Sequence, residues 1–488
     1  MNVLLNMRFS VIGFLLLIFV FSCNKNTSKG DIAYLGGQII NPNNNYVTVN
    51  SIKSEKDTVY LDEQNRFTYK IENLETGLYI FTHGGERQIV LLEPNDSLLF
   101  RLNTNDFDES LVYTGFGSKK NNYLIKAFLS DEIENKKFNL EHNLEPEEFK
   151  EKINVLKKRK LNKLDKFLSN NKLTPLFEKI AKATINYNYY HYLEKYPFGH
   201  FGNNKLIHVK DLPEDFYDYR DKVDFNDLSL TGVYSYNNFM NWYFHNVALK
   251  EYYHDGDHQV FDRQALDYNF EKLRLIDSVV QNETIKNDML RHSAKVFVLN
   301  SNSAVQSESI LRSFKEKSTN DEDKRYIENL VSSTTKLYPG NLIPDIKVVD
   351  FYNNKHNLRS IINNPTVVYC WSSNFKMHYR NCHYMVRELK TKYPEVDFIA
   401  ININDMNSDS WKKTLNLLKY PKENEYMFLN PNEAIQTFAI AGAHKVILTD
   451  ENGIISKSNA NLLSDEIDDD IEQLLAKSEI SKIAYTEE

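Results

Sequence analysis

Two thiols and several imidazoles fall in one short stretch of this 488-residue chain: Cys370, His378, Cys382 and His383, with His444 further on. Disulfide exchange needs an attacking thiolate and a resolving thiol within reach of each other. A tetrahedral metal site needs four thiolate, imidazole or carboxylate ligands. The spacing favours neither. Cys370 lies in the apolar run Thr366 to Trp371, predicted as a buried strand, and Cys382 lies on the helix predicted over Tyr379 to Tyr393. A Cys370–Cys382 bridge stays open, but two unpaired buried thiols acting as small hydrophobes fit the pattern better. His378 and Cys382 are four apart and share a helical face, whereas His383 points elsewhere and no fourth ligand is evident. No metal and no cofactor are expected. His254-Asp255-Gly256-Asp257-His258 reads as a turn, because Asp257 lacks the regular oxygen-ligand spacing of a calcium loop. His191, His200, His208, His245 and His292 stand without visible partners.

The elements that must position these groups follow from composition and periodicity. A chain of this length holds two or three domains. With 26% charged residues and a net charge of −8 it gives no reason to expect nucleic acid as a partner. Tyr and Phe are abundant at 30 and 29 against 16 Gly, which predicts aromatic-rich cores.

Residues 31–118 alternate in short β-branched or aromatic runs: Gly36 to Ile40, Tyr46 to Val49, Thr58 to Leu61, Arg66 to Tyr69, Gly77 to Phe81, Gln88 to Leu92 and Ser97 to Leu102. Such spacing predicts a β-sandwich-like domain with packing or docking as its role and no titratable cluster. Residues 119–337 turn helical, with helices read over Glu148 to Phe167, Phe177 to Tyr192 and Tyr268 to Val280, and an irregular connection from Pro197 to Asp227. The aromatic runs Tyr187 to Tyr192 and Tyr234 to Tyr253 are read as core between helices, with a glycan or cation platform as the alternative. Residues 338–479 alternate strands and helices, ending in the hairpin around Asp450-Glu451-Asn452-Gly453 and a helix over Asp465 to Leu475. The fold class is multidomain α/β.

At the N-terminus, Arg8 precedes the apolar run Val11 to Phe21, which is short for a membrane span and reads as a secretory signal. Val20-Phe21-Ser22-Cys23 resembles a bacterial lipobox. The resemblance implies a lipoprotein signal peptide over residues 1–22, lipidation at Cys23 and a polar tether over residues 23–30. Multiple acyl chains on one residue anchor stably.

The run Val367-Val368-Tyr369-Cys370-Trp371-Ser372-Ser373 resembles the strand and turn of TlpA/ResA-type thioredoxins, in which such a run opens into Cys-x-x-Cys at a helix N-terminus. Counting from Trp371, the two cysteine positions fall on Phe375 and His378. The family's cis-proline, facing the dithiol, falls on His444 in Gly442-Ala443-His444-Lys445. A non-proline residue prefers trans by about 3 kcal/mol. Ile343-Pro344-Asp345-Ile346 with Val348-Val349-Asp350 resembles the family's first strand. Gly37-Gln38-Ile39, the stretch Leu91 to Leu98 and the stretch Tyr113 to Leu124 resemble the β-domain that precedes thioredoxin modules in Bacteroidetes lipoproteins.

The resemblance implies a thioredoxin-like C-terminal domain whose redox site has lost both thiols and the facing proline. The expected protein is a membrane-anchored envelope lipoprotein of the outer membrane, facing the periplasm or the cell surface, redox-inactive, and acting as a binding or scaffolding protein. Its groove around Trp371, Phe375, His378 and His444 would dock an envelope protein or extended peptide through backbone contacts. The alternative is a divergent thiol–disulfide oxidoreductase with Cys382 as lone nucleophile.

Overall fold

The computed structural model describes residues 32–51, 56–138, 143–201, 212–255, 261–403 and 408–486. The signal segment, Cys23 and its tether, His208 and Gly256-Asp257-His258 lie outside them. No helix among the described residues is long and apolar enough to cross a membrane.

Eight strands build the N-terminal unit: β1 (Ile32–Ile40), β2 (Tyr46–Ser51), β3 (Asp57–Tyr60), β4 (Arg66–Glu72), β5 (Gly77–His83), β6 (Glu86–Leu92), β7 (Ser97–Asn103) and β8 (Val112–Phe116). They form two four-stranded sheets, ordered β4-β1-β7-β8 and β3-β2-β5-β6. Alternation along β7 buries Leu98, Phe100 and Leu102 and exposes Leu99 and Arg101, as a half-buried strand requires. Between the sheets Phe67, Phe81 and Phe100 pack as stacked and edge-on rings. A short helix, α1 (Phe107–Ser110), links β7 to β8.

This unit carries a titratable cluster after all. Lys120, on α2 (Ser118–Phe138), places its ammonium 2.6 Å from Asp96 and 2.5 Å from Glu93, all three side chains being buried. The neighbouring Asn121 accepts from the Leu91 amide and donates to the Leu91 carbonyl. Together they fasten the first long helix to the sandwich. Sequence spacing hides the cluster, because its members sit on two different elements.

The middle unit continues with α3 (Pro146–Ser169), α4 (Pro175–His200), α5 (Tyr234–Asp255), α6 (Leu266–Val279), α7 (Glu283–Asn300), α8 (Ala304–Lys317) and α9 (Asp321–Thr335). The helix α4 runs through Pro197, where an irregular connection was expected. A proline in the last turn removes only one ladder bond and leaves the rest of the helix intact. Tyr187, Tyr189, Tyr190 and Tyr192 are buried, and Tyr190 stacks on Tyr219 with ring centroids 4.2 Å apart. Their packing is that of a core. Inside it the fully buried Glu194 accepts from Arg220 twice, at 2.9 and 2.6 Å, from the Tyr219 hydroxyl at 2.7 Å and from Asn246 at 2.7 Å. His245, expected to lack a partner, meets the Tyr268 hydroxyl at 2.5 Å.

The C-terminal sheet has seven strands in the order β10-β9-β13-β12-β11-β14-β15. They are β9 (Lys347–Asp350), β10 (Lys355–Asn357), β11 (Thr366–Trp371), β12 (Asp397–Asn402), β13 (Glu425–Phe428), β14 (Val446–Thr449) and β15 (Ile455–Lys457). The central β11 pairs parallel with β12 and antiparallel with β14. Alternation splits β11 between two cores. Val367, Tyr369 and Trp371 face α10 (Lys376–Lys392), α11 (Ser408–Leu418) and α13 (Glu466–Thr486). Val368 and Cys370 face the side of α12 (Pro431–Thr437), whose apolar cluster runs on into the helical unit through α9.

Candidate functional site

The β11 strand ends at Trp371 and the chain turns at once into α10. Ser372 makes the turn: its hydroxyl accepts from the Asn374 amide and its carbonyl from the Phe375 amide, at 3.2 and 3.1 Å. Phe375 then stands at the helix N-cap with no side-chain cap. It is partly exposed, at 39%, and it is not idle.

The β5–β6 hairpin of the N-terminal unit reaches this point through Gly84 and Gly85. A Cβ added to Gly85 would stand 3.1 Å from a Phe375 ring carbon and 3.3 Å from the Asn374 Cβ. The φ of +88° at Gly85 is the left-handed backbone that glycine adopts without penalty. Beside it the Lys376 ammonium donates to the Asn105 side chain at 2.8 Å, from α10 to the β7–α1 connection. The place where the resemblance puts the first cysteine is thus a contact between units. Gly85→Ala is expected to cost about 1–2 kcal/mol from backbone strain and the close approach to Phe375. A double-mutant cycle with Phe375→Ala should show coupling of at least about 0.5 kcal/mol in urea unfolding. Strict additivity would mean the contact contributes nothing.

His378 lies half-buried in the first turn of α10. Its ring meets the His444 ring edge-on at 4.3 Å, and its Nε2 is 3.3 Å from the Cys382 sulfur. Burial, with His444 and His383 adding to it, pushes the His378 pKa down to about 4. Burial also pushes the Cys382 thiol up to about 12. The pair is therefore a neutral imidazole beside a neutral thiol, the reverse of an activated thiolate–imidazolium pair.

Cys370 is on the other face of the sheet from Cys382, which excludes a bridge between them. Burial raises its thiol to about 12, with the Lys445 ammonium pulling weakly the other way. Lys445 donates to Asn459, and Asn459 to the Leu299 carbonyl at the end of α7, tying this edge of the sheet to the helical unit.

Trp371 was expected to line the groove; it does not. It is 0% exposed and belongs to the core under α10. Its indole N–H donates to Glu425 at 3.2 Å. The other oxygen of Glu425 meets His383 Nε2 at 2.9 Å, and His383 Nδ1 faces the Tyr379 carbonyl at 2.7 Å. Tyr420 stacks on the His383 ring at 4.1 Å. His383 and Glu425 are 42 positions apart, and β13, which carries Glu425, does not stand out in the sequence. Among the described residues no group of three His, Cys, Asp or Glu side chains is placed to hold a metal ion. What lies at the surface is Phe375, Met377, His378 and His444, with Phe375 partly covered by the hairpin.

A central strand running into a helix, a parallel neighbour on one side and an antiparallel hairpin on the other define a thioredoxin-like α/β unit, set behind a β-sandwich and a helical region. No family model matches the chain, and no curated protein matches it. Solved structures are similar to it in part. The thioredoxin domain of a thiol-disulfide oxidoreductase from Bacteroides vulgatus has 18% identity and a TM-score of 0.24, covering 28% of this chain and 99% of its own. A thiol:disulfide interchange protein from a Bacteroides species has 17% identity and a TM-score of 0.25, covering 29% and 91%. A thioredoxin-like protein from Bacteroides caccae has 12% identity and a TM-score of 0.33, covering 52% and 89%.

Proposed function

We propose that the chain is an envelope lipoprotein, anchored through Cys23 in the outer membrane, whose thioredoxin-like unit binds or scaffolds an envelope protein instead of exchanging disulfides. One observation supports this reading above others: its two described thiols are buried on opposite faces of one sheet, each raised to about 12. The remaining surface of Phe375, His378 and His444 offers imidazoles and an aromatic ring to a protein or extended peptide.

The detergent-solubilised full chain should show no reduction of insulin by dithiothreitol above background. Its thiols should react with iodoacetamide at pH 8.5 at least about a hundredfold more slowly than in urea, where they have the ordinary thiol pKa. Insulin reduction that disappears in Cys382→Ser would overturn the proposal in favour of a single-thiol oxidoreductase. A partner that co-purifies equally well with wild type and with His378→Ala/His444→Ala would place binding elsewhere.

A further inference from the structure

A cavity lies on the flank of α10 away from Phe375. It has a volume of about 450 Å³ and opens between α10 and the loop joining α11 to β13. That size suits a small organic molecule. The helix is basic by sequence, and spacing puts Arg380, Tyr384, Arg387 and Lys390 on one side of it, along the cavity rim. Lys419 closes the rim from the loop with φ of +54°, a strained backbone for a lysine. Of the α10 cations, Lys376 pairs with Asn105, Lys392 with Asp468, and Arg387 at the exposed rim with Glu388 at 3.3 Å while lying over the Tyr384 ring. Four cations therefore gather on a chain whose net charge is −8. Of the nearby acids, Glu425 is committed to His383 and Trp371, Glu388 pairs with Arg387 at the exposed rim, and Glu423 lies in the lining.

The cavity floor adds one more polar group to the rim cations. Tyr369 is 2% exposed and lines the cavity floor. The phenol keeps its proton, since burial and the nearby Glu425 carboxylate both hold its pKa far above the usual value. It is a donor aimed into the cavity. The same carboxylate disfavours a negative charge at the floor, so the ligand's anionic end belongs at the rim.

We propose that this cavity binds a small ring-bearing anion. Its phosphate or carboxylate group meets Arg380, Arg387, Lys390 and Lys419, its ring lies against Tyr384 and Tyr420, and a neutral acceptor oxygen on the ring takes the Tyr369 hydroxyl proton in a hydrogen bond. This site is separate from the surface at Phe375 and stands or falls independently of the scaffolding role.

4-Nitrophenyl phosphate carries all three features, so titration calorimetry of the full chain with it tests the idea. The expected Kd is below about 1 mM. Binding should weaken about tenfold in Tyr369→Phe, which keeps the ring and loses one hydrogen bond to the ligand. It should weaken at least about thirtyfold in Arg387→Ala/Lys419→Ala, both of which alter exposed side chains, and be at least tenfold weaker for inorganic phosphate or 4-nitrophenol. No heat of binding to the wild type, unchanged affinity in both variants, or equal affinity for inorganic phosphate would each overturn the proposal.

Discussion

Glu425→Ala is expected to remove about 2–4 kcal/mol of stability, because it deletes a buried side chain that serves both His383 and the Trp371 indole. The Glu425 and His383 side chains are only 5% and 7% exposed. His383 Nε2 faces the Glu425 side chain at 2.9 Å and its Nδ1 faces the Tyr379 carbonyl at 2.7 Å. Alanine leaves a buried His383 ring nitrogen without its partner and the Trp371 indole N–H without its acceptor. Glu425→Gln should fall between, since the amide oxygen can serve one donor but carries no charge. The measurement is the urea midpoint at constant m, with the emission of Trp371 as an accompanying signal. A loss under about 1 kcal/mol for alanine would show that water reaches the pair.

Lys120→Met should have a comparable effect, about 3–5 kcal/mol at neutral pH, and a distinctive dependence on acidity. Without the ammonium, Glu93 and Asp96 are two buried carboxylates with no counter-charge. Burial already raises the Asp96 pKa above its usual value, with Lys120 opposing that rise. In the variant the opposition is gone. A raised carboxyl pKa means the folded state holds a proton that the unfolded state has released, so stability falls as pH climbs through that window. Lowering the pH from 7 to 5 should therefore recover more stability in Lys120→Met than in wild type, read as the change in urea midpoint. A pH-independent difference would mean that the carboxylates find other partners.

Much of the architecture was legible because it rests on local period. Alternation marked seven of the strands in the sandwich and the buried run of β11, and helical period marked α3, α4 and α6. The misreadings have physical causes. Pro197 opens the stretch expected as an irregular connection, yet the helix tolerates it in its last turn. Trp371 was placed in a groove because it adjoins the turn, whereas its strand parity directs it into the core. The partners of His383, His245 and Lys120 come from distant elements, and single-sequence spacing carries no trace of such pairs. The same holds for the Gly85–Phe375 approach, which joins residues 290 positions apart.

The sheet face that holds Val368 and Cys370 has a consequence for how the molecule comes apart. Its apolar layer is continuous through α12 and α9 with the interior of the helical unit, while Lys376 and Phe375 clasp the sandwich from the opposite end of the chain. Partial opening of any one unit strips contacts from another, so the local openings by which proteins loosen region by region are coupled here. Amide exchange in the strands of the C-terminal sheet would then report on the whole body, and a lesion in α9 would be felt at β11, far along the chain from where it was made.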